Sequence, residues 1–231
     1  SLREFKSSKY LSDYAEENGF TVEKGVAGIP TAFTATYGSG RPIIGIMGEF
    51  DANAGISQKK QPTKEPLIKG AAGHGCGHNL FGTASLAAAI AIKEQIESGE
   101  ISGTVIFYGT PAEETIFGKV WMVREGLFDK LDLCMDWHPG SEIAAATQSS
   151  KALVDFRLKF FGNAAHASGD PWNGNSAVDA LELYTTGLNY YREHIKPTAR
   201  IHYDIEKAGE VGNVVPAGSY THLRAHATPA Q

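Results

Sequence analysis

Short apolar runs alternate with polar breaks along this chain, and the spacing inside each run separates helices from strands. Leu2, Phe5, Tyr10, Leu11, Tyr14 and Ala15 recur near helical spacing and Gly19 follows as a stop, so residues 2–18 read as a helix. Stretches 20–26, 32–37 and 43–47 are rich in β-branched and aromatic residues and read as strands. Gly38-Ser39-Gly40 between the last two has the composition of a hairpin connection. The Lys-, Gln- and Pro-rich stretch 58–69 is a surface loop, after which Asn79 is placed to cap an Ala-rich helix running to about Ser98. Beyond it come a continuous apolar strand at 104–108, a short helix at 120–124 and a buried strand at 131–135. Strands alternating with helices in this way predict an α/β fold, a parallel-containing sheet with helices on both faces.

The period changes near Ser149-Ser150. Ala152, Val154, Phe156, Leu158 and Phe160 are apolar at every second position, while Asp155, Arg157 and Lys159 occupy the alternate ones, which predicts a strand with one solvated face. A polar loop with Gly162-Asn163-Ala164-Ala165-His166 follows. Ser176 then caps a helix bearing Ala177, Val178, Leu181, Tyr184, Leu188 and Tyr191 on one side, and 200–206 alternates again with Ile201, Tyr203 and Ile205 inward. The expected organisation is a domain over 1–150 and a small α+β domain over 151–217.

Composition narrows the functional classes. The chain has 231 residues, enough for a sizeable core, and 26 acidic against 21 basic residues give a net charge of -5. Its Lys and Arg are scattered, so there is no basic stripe for nucleic acid. The longest apolar stretch, 84–92, is far short of a membrane span, and Ser1-Leu2-Arg3-Glu4 has no secretion-signal character. With Cys76 and Cys134 as the cysteines, a disulfide scaffold is excluded and a cytoplasmic setting is expected.

Chemistry concentrates where apolar strands stop: Gly73-His74-Gly75-Cys76-Gly77-His78-Asn79, Pro111-Ala112-Glu113-Glu114, and Met135-Asp136-Trp137-His138-Pro139-Gly140. Taken singly, each has an ordinary explanation, a buried thiol, a solvated Glu-Glu turn, a packed histidine. Together at the ends of parallel strands they predict one site for zinc or a similar divalent ion, with one of the paired carboxylates free to act as general base. Glycines at 73, 75 and 77 are expected to supply the tight turns that aim Cys76 and His78 at one point. Asp51 and His74 are read as turn or supporting hydrogen-bonding residues. His222 and His226 have the spacing of a helical metal pair but lie in a polar stretch without an apolar face, so that match is read as accidental.

With these residues assembled, the chain resembles the amidohydrolase and carboxypeptidase group of metallopeptidases with co-catalytic metals, in the branch typified by the B-type subunit of aminobenzoyl-glutamate hydrolase. The matching stretches are Gly25-Val26-Ala27-Gly28-Ile29-Pro30-Thr31-Ala32-Phe33, Gly48-Glu49-Phe50-Asp51-Ala52, Gly73 to Leu80, Pro111 to Glu114, Asp136-Trp137-His138-Pro139, Ala164-Ala165-His166-Ala167-Ser168 and Gly212-Asn213-Val214-Val215-Pro216. The resemblance implies a zinc-exopeptidase-like catalytic domain and a lid or dimerisation domain, the latter partial here. It implies two divalent metal ions, zinc or manganese, held by Cys76, His78, Glu114 and His138, with Glu113 as the catalytic base. His166 and Asn213 match substrate-binding residues of the lid, through which relatives form homodimers or paired subunits. The implied substrates are N-acyl amino acids of the aminobenzoyl-glutamate kind or small dipeptides; a non-catalytic metal-binding scaffold, or an inactive fragment of such a hydrolase, is the rival reading. From Gly218 to His226 the sequence departs from the family pattern, so 218–231 is expected to be a non-native tail on a truncated fragment that lacks a last histidine ligand.

Overall fold

The structure is a computed structural model that describes residues 2–145 and 151–227. The chain divides into two compact units, Ser1–Ile143 and Ala144–Gln231, and the change of pattern at Ser149-Ser150 lies outside the described residues.

The first unit contains helix α1 (Phe5–Glu17), strands β1 (Thr21–Lys24), β2 (Phe33–Ser39) and β3 (Ile43–Glu49), helix α2 (His78–Glu97), strand β4 (Gly103–Thr110), helices α3 (Glu113–Ile116) and α4 (Gly118–Arg124), and strand β5 (Leu133–Met135). Its five-stranded sheet runs β1-β2-β4-β3-β5; β4, β3 and β5 are mutually parallel, and β2 and β1 extend the sheet antiparallel. Side chains of β4 alternate between the faces. Val105 and Phe107 join Leu11, Ala15, Ile46, Leu86 and Ala89 beneath α1 and α2, whereas Ile106 and Tyr108 join Val26, Ile29, Ala32 and Met122 beneath α4. Each of these β4 side chains is fully buried, and burial of such groups contributes roughly 1.5–3 kcal/mol apiece, which makes β4 the natural centre of the sheet.

That placement corrects the expected hairpin. Gly38-Ser39-Gly40 does not fold β3 back onto β2, because β4 lies between them, and the connection passes over the start of β4, where Thr104 N donates to Pro42 O at 2.9 Å and Thr104 Oγ1 to Gly40 O at 2.8 Å. In α1 the buried positions are Ser8, Leu11, Ser12 and Ala15, while Phe5, Tyr10 and Tyr14 remain exposed, so the packed face is rotated away from the aromatic residues. α2 begins at His78 rather than after Asn79, because Gly77 is left-handed (φ 79°) and turns the chain into the helix two residues earlier. Strand β5 is short and exposed instead of buried, since it is the edge of the sheet. Among the described residues no helix is long and apolar enough to cross a membrane.

The second unit contains β6 (Ala152–Phe161), α5 (Ala177–Tyr191), β7 (Arg200–Ala208) and β8 (Gly218–Ala227) in an antiparallel sheet ordered β6-β8-β7. Ser176 Oγ accepts from Asp179 N at 3.1 Å, capping α5 as expected. The helix buries Ala177, Leu181 and Thr185 on the sheet; Ser219 Oγ donates to Ala177 O at 2.8 Å, and Tyr184 meets Phe160 at 5.9 Å between ring centroids. Val154 and Phe156, on the same face of β6, are still 59% and 39% exposed. The stretch from Gly218, expected as a tail, forms the central strand: Ser219, Thr221 and Leu223 point inward and are buried, a pattern hidden in the sequence because two of the three are small and polar. His222 and His226 therefore lie on a strand, where a spacing of four is not a helical metal pair, and the His222 ring is paired with Asp155.

Tyr108 offers a test of the core. Burial pushes its phenol from the ordinary 10 up to about 12, and its hydroxyl donates to Leu127 O at 2.8 Å. The folded state favours the neutral phenol, so its contribution is complete below pH 10 and is lost as pH rises to 12, about 3 kcal/mol in all. Tyr108→Phe should cost about 1 kcal/mol at neutral pH from the lost hydrogen bond. Denaturant titrations across that range should also show a correspondingly shallower alkaline loss; identical alkaline limbs in the two proteins would contradict the assignment.

Candidate metal centre

Because β3, β4 and β5 are parallel, their C-terminal ends share one edge of the sheet, and the segments leaving them carry Glu49 and Asp51, Glu113 and Glu114, and Asp136 and His138. α2 brings its first turn to the same edge. Gly82 makes this possible: a Cβ there would lie 2.7 Å from Glu49 O, so only glycine lets the helix approach β3 this closely. Of the glycines before the helix, Gly77 supplies the turn, whereas Gly73 is needed for close approach, since a Cβ on it would sit 2.3 Å from Ile56 O.

His78 is 1% exposed and its Nδ1 lies 2.9 Å from Asp51 Oδ1. Asp51 Oδ2 accepts from Glu114 N at 3.0 Å, so one buried carboxylate fixes both the histidine and the turn after β4. With its Nδ1–H donated to a carboxylate, His78 presents the Nε2 lone pair. His138 is arranged the same way: its Nδ1 faces Pro139 O at 3.1 Å, and its Nε2 faces Cys76 Sγ at 3.2 Å. The neighbouring Trp137 anchors this segment by donating from Nε1 to Ser85 Oγ at 3.1 Å and by an edge contact with Phe81, with centroids 5.7 Å apart. The rings of His78 and His138 are perpendicular with centroids 5.6 Å apart. On the turn after β4, Ala112 is left-handed (φ 60°), an energetically costly state for a residue with a Cβ, and it sets the direction in which Glu113 and Glu114 leave the strand.

Among the described residues, potential ligands fall into two overlapping groups, Cys76 with His78 and His138, and Glu49 with His78 and Glu113. Glu114 is a hydrogen-bonding neighbour of Cys76. Burial, and then the Glu114 charge, raise the Cys76 thiol above its ordinary value. The same causes in the same order raise Glu113. His78 Nε2 and Glu114 Oε1 are buried without a hydrogen-bond partner. Unpaired buried acceptors beside a thiol and crowded carboxylates are costly by themselves and are satisfied by a cation, so the residues fit a divalent metal.

The structure thus gathers Cys76, His78, Glu113, Glu114 and His138, and gives Asp51 the supporting role expected of it. His74 is exposed, belongs to neither ligand group and lines a cavity of about 390 Å³ with Lys6, Tyr10 and Phe50; burial first, then His78, lower its pKa. His166 and Asn213 lie in the second unit and are brought together there, with Ala167 N donating to Asn213 O at 3.0 Å. His166 Nδ1 accepts from Ser168 N at 3.3 Å and Gly169 N at 3.1 Å, which leaves the proton on Nε2 of an exposed ring. Sequence reasoning missed Glu49 and Lys119. Glu49 is 5% exposed, pairs with Lys119 Nζ through Oε1, and places Oε2 at 2.8 Å from His78 Nε2. Burial pulls the Lys119 ammonium down to about 8, opposed by the charge of Asp136. The signal for Glu49 was its place at the end of a parallel strand; Lys119 carries none.

Residues 45–220 match the profile of peptidase family M20/M25/M40. The B-type subunit of p-aminobenzoyl-glutamate hydrolase from Escherichia coli (strain K12) is 47% identical over 220 residues, 94% of this chain and 45% of that protein. Xaa-Arg dipeptidase of Mus musculus is 35% identical over 205 residues, 85% of this chain and 43% of that protein. The chain therefore spans less than half the length of these curated relatives. A solved Bacillus subtilis structure, described as a dinuclear metal binding peptidase from the M20 family, has the same fold, with a TM-score of 0.62 at 19% identity over 98% of this chain and 59% of that one.

Asp51 is the test of how the centre is built. Asp51→Ala leaves the His78 ring and the Glu114 amide without their acceptor, and should weaken divalent-ion binding about 10- to 100-fold in a chelator competition. Unchanged affinity in a folded Asp51→Ala protein would show that Asp51 does not orient the site.

Proposed function

The chain belongs to peptidase family M20/M25/M40, and from its site we propose that it is a metal-dependent hydrolase of the amide bond in N-acyl amino acids of the aminobenzoyl-glutamate kind or in small dipeptides. The observation that carries this reading is the pair of histidines, each with Nδ1 engaged and Nε2 directed toward the cluster that includes Cys76, beside two carboxylates at the end of β4. The substrate class is carried over from the names of the relatives, a p-aminobenzoyl-glutamate hydrolase and an Xaa-Arg dipeptidase.

Cys76, His78, Glu114 and His138 would hold two divalent ions; the thiolate favours zinc, and the imidazoles and carboxylate also suit manganese. When bound, the ions lower the pKa of a water molecule and polarise the amide carbonyl. Glu113 is the group left to move the proton. Its carboxylate takes one proton from the attacking water and passes it to the nitrogen of the departing amine, so the C–N bond breaks to give a free amine and a carboxylic acid. His166, with a proton on Nε2, and Asn213, with its side-chain amide, are assigned to substrate binding. The unit carrying them is assigned as the lid through which the protein forms a homodimer or pairs with a related chain, in keeping with a relative whose own name makes it one of a hydrolase's subunits.

Substitutions at the adjacent glutamates separate the two roles. Glu113→Gln should retain its ions and lose on the order of a hundredfold in turnover of aminobenzoyl-glutamate or a dipeptide. Glu114→Gln should instead lower bound metal, measured by elemental analysis after dialysis. The reverse pattern would exchange the roles, and full turnover in Glu113→Gln would favour a metal-binding scaffold instead of a hydrolase.

A further inference from the structure

His78 belongs to both groups of potential ligands, and with Nδ1 engaged by Asp51 it has a single lone pair, on Nε2, to give to one ion. A site that takes two ions from Cys76, His78, Glu114 and His138 therefore needs a further donor wherever His78 is committed. Cys76 Sγ and His138 Nε2 already face each other at 3.2 Å, and Glu114 adjoins Cys76, so these three can serve one ion among themselves. What faces His78 Nε2 is Glu49. Its Oε2 lies 2.8 Å away, but the contact does not have the geometry of a hydrogen bond, and Nε2 counts among the buried atoms with no hydrogen-bond partner. Two donors bound to one zinc ion at about 2.0–2.1 Å each lie roughly 3 Å apart, so the separation suits a shared ion.

We propose that Glu49 is a metal ligand of this centre, sharing an ion with His78 Nε2 on the side where Glu113 lies, and that Lys119 holds the Glu49 carboxylate in place through its other oxygen. The inference rests on the metal-dependent reading above and adds a donor to it. Both Glu49 and His78 are at least nine-tenths buried, so the Glu49 carboxylate cannot relax into water when no cation is present. Lys119 meets half of that need from one side, on Oε1, and leaves Oε2 directed at His78. Glu113 closes the group, and its carboxylate remains close enough to an ion there to act on a water molecule beside it.

The competing explanation is that Glu49 serves only as the buried partner of Lys119. Zinc chloride and manganese chloride titrated into the chain, in competition with a chromophoric chelator, separate the two, with thermal unfolding in metal-free buffer as the control for folding. Glu49→Gln should weaken at least one ion by about tenfold or more. Lys119→Met removes the ion pair but leaves the donor, and should weaken binding clearly less than Glu49→Gln does. If Glu49→Gln does not fold, Glu49→Asp keeps the charge but is one methylene short, and should show weakened ion binding with little change in unfolding. Wild-type affinity in folded Glu49→Gln, or in Glu49→Asp if that variant alone folds, would overturn the inference while leaving the hydrolase reading intact. Equal losses in the Glu49 variant and Lys119→Met would also overturn it, since Glu49 would then be a positioning residue only. A wild-type chain that binds neither ion would remove both.

Discussion

Asp51 is the interaction on which the centre depends. Its carboxylate, buried just beyond β3, receives the Nδ1–H of His78 from the first turn of α2 and the backbone N–H of Glu114 from the turn after β4. Three chain segments far apart in sequence are thereby tied at one point by two charge-assisted hydrogen bonds, the strong class of such bonds. The tie also has chemical direction, because it commits the His78 proton to Nδ1 and leaves Nε2 as a ligand. It could not form without close packing behind it, which Gly82 provides by letting α2 approach the backbone of Glu49.

The same closeness concentrates negative charge. Glu49, Asp51, Glu113 and Glu114 gather near one histidine, and burial first, then the neighbouring charge of Glu114, makes the thiol of Cys76 and the carboxyl of Glu113 hold their protons more tightly. Such an arrangement is unfavourable for folding alone, and proteins retain it where a ligand relieves it. A divalent cation would neutralise the carboxylates, take up the unpaired Nε2 of His78 and Oε1 of Glu114, and draw the thiol into its ionised form. Lys119 is a partial substitute built into the fold, on one carboxylate only.

Much of this was legible in the sequence where the signal is local. The strands at 33–39 and 43–49, the Ala-rich helix and the rule that ligands gather beyond the C-terminal ends of parallel strands were enough to bring Cys76, His78, Glu113, Glu114 and His138 to one edge. What depended on non-local pairing was not legible. A Gly-Ser-Gly connection looks the same whether it closes a hairpin or passes over an intervening strand, and only the demand of Val105 to Tyr108 for burial on both faces puts β4 between β2 and β3. β8 escaped notice because its inward positions carry Ser219 and Thr221, whose polarity is satisfied internally, by Ala177 O and Asp204 O, instead of announcing a core. Glu49 escaped because a carboxylate at a strand end has many ordinary uses, and its partner Lys119 sits on α4, beyond β4 in the chain, where no sequence pattern connects the two.

The central claim is that Cys76 is a ligand in a divalent-metal centre to which both histidines also belong, and X-ray absorption at the zinc edge reads this directly. The measurement is best made on zinc-loaded chain carrying Cys134→Ser, so that any sulfur seen belongs to Cys76. The account predicts a sulfur scatterer at about 2.3 Å together with imidazole nitrogen and carboxylate oxygen at about 2.0–2.2 Å. A spectrum with light atoms alone around zinc would contradict it.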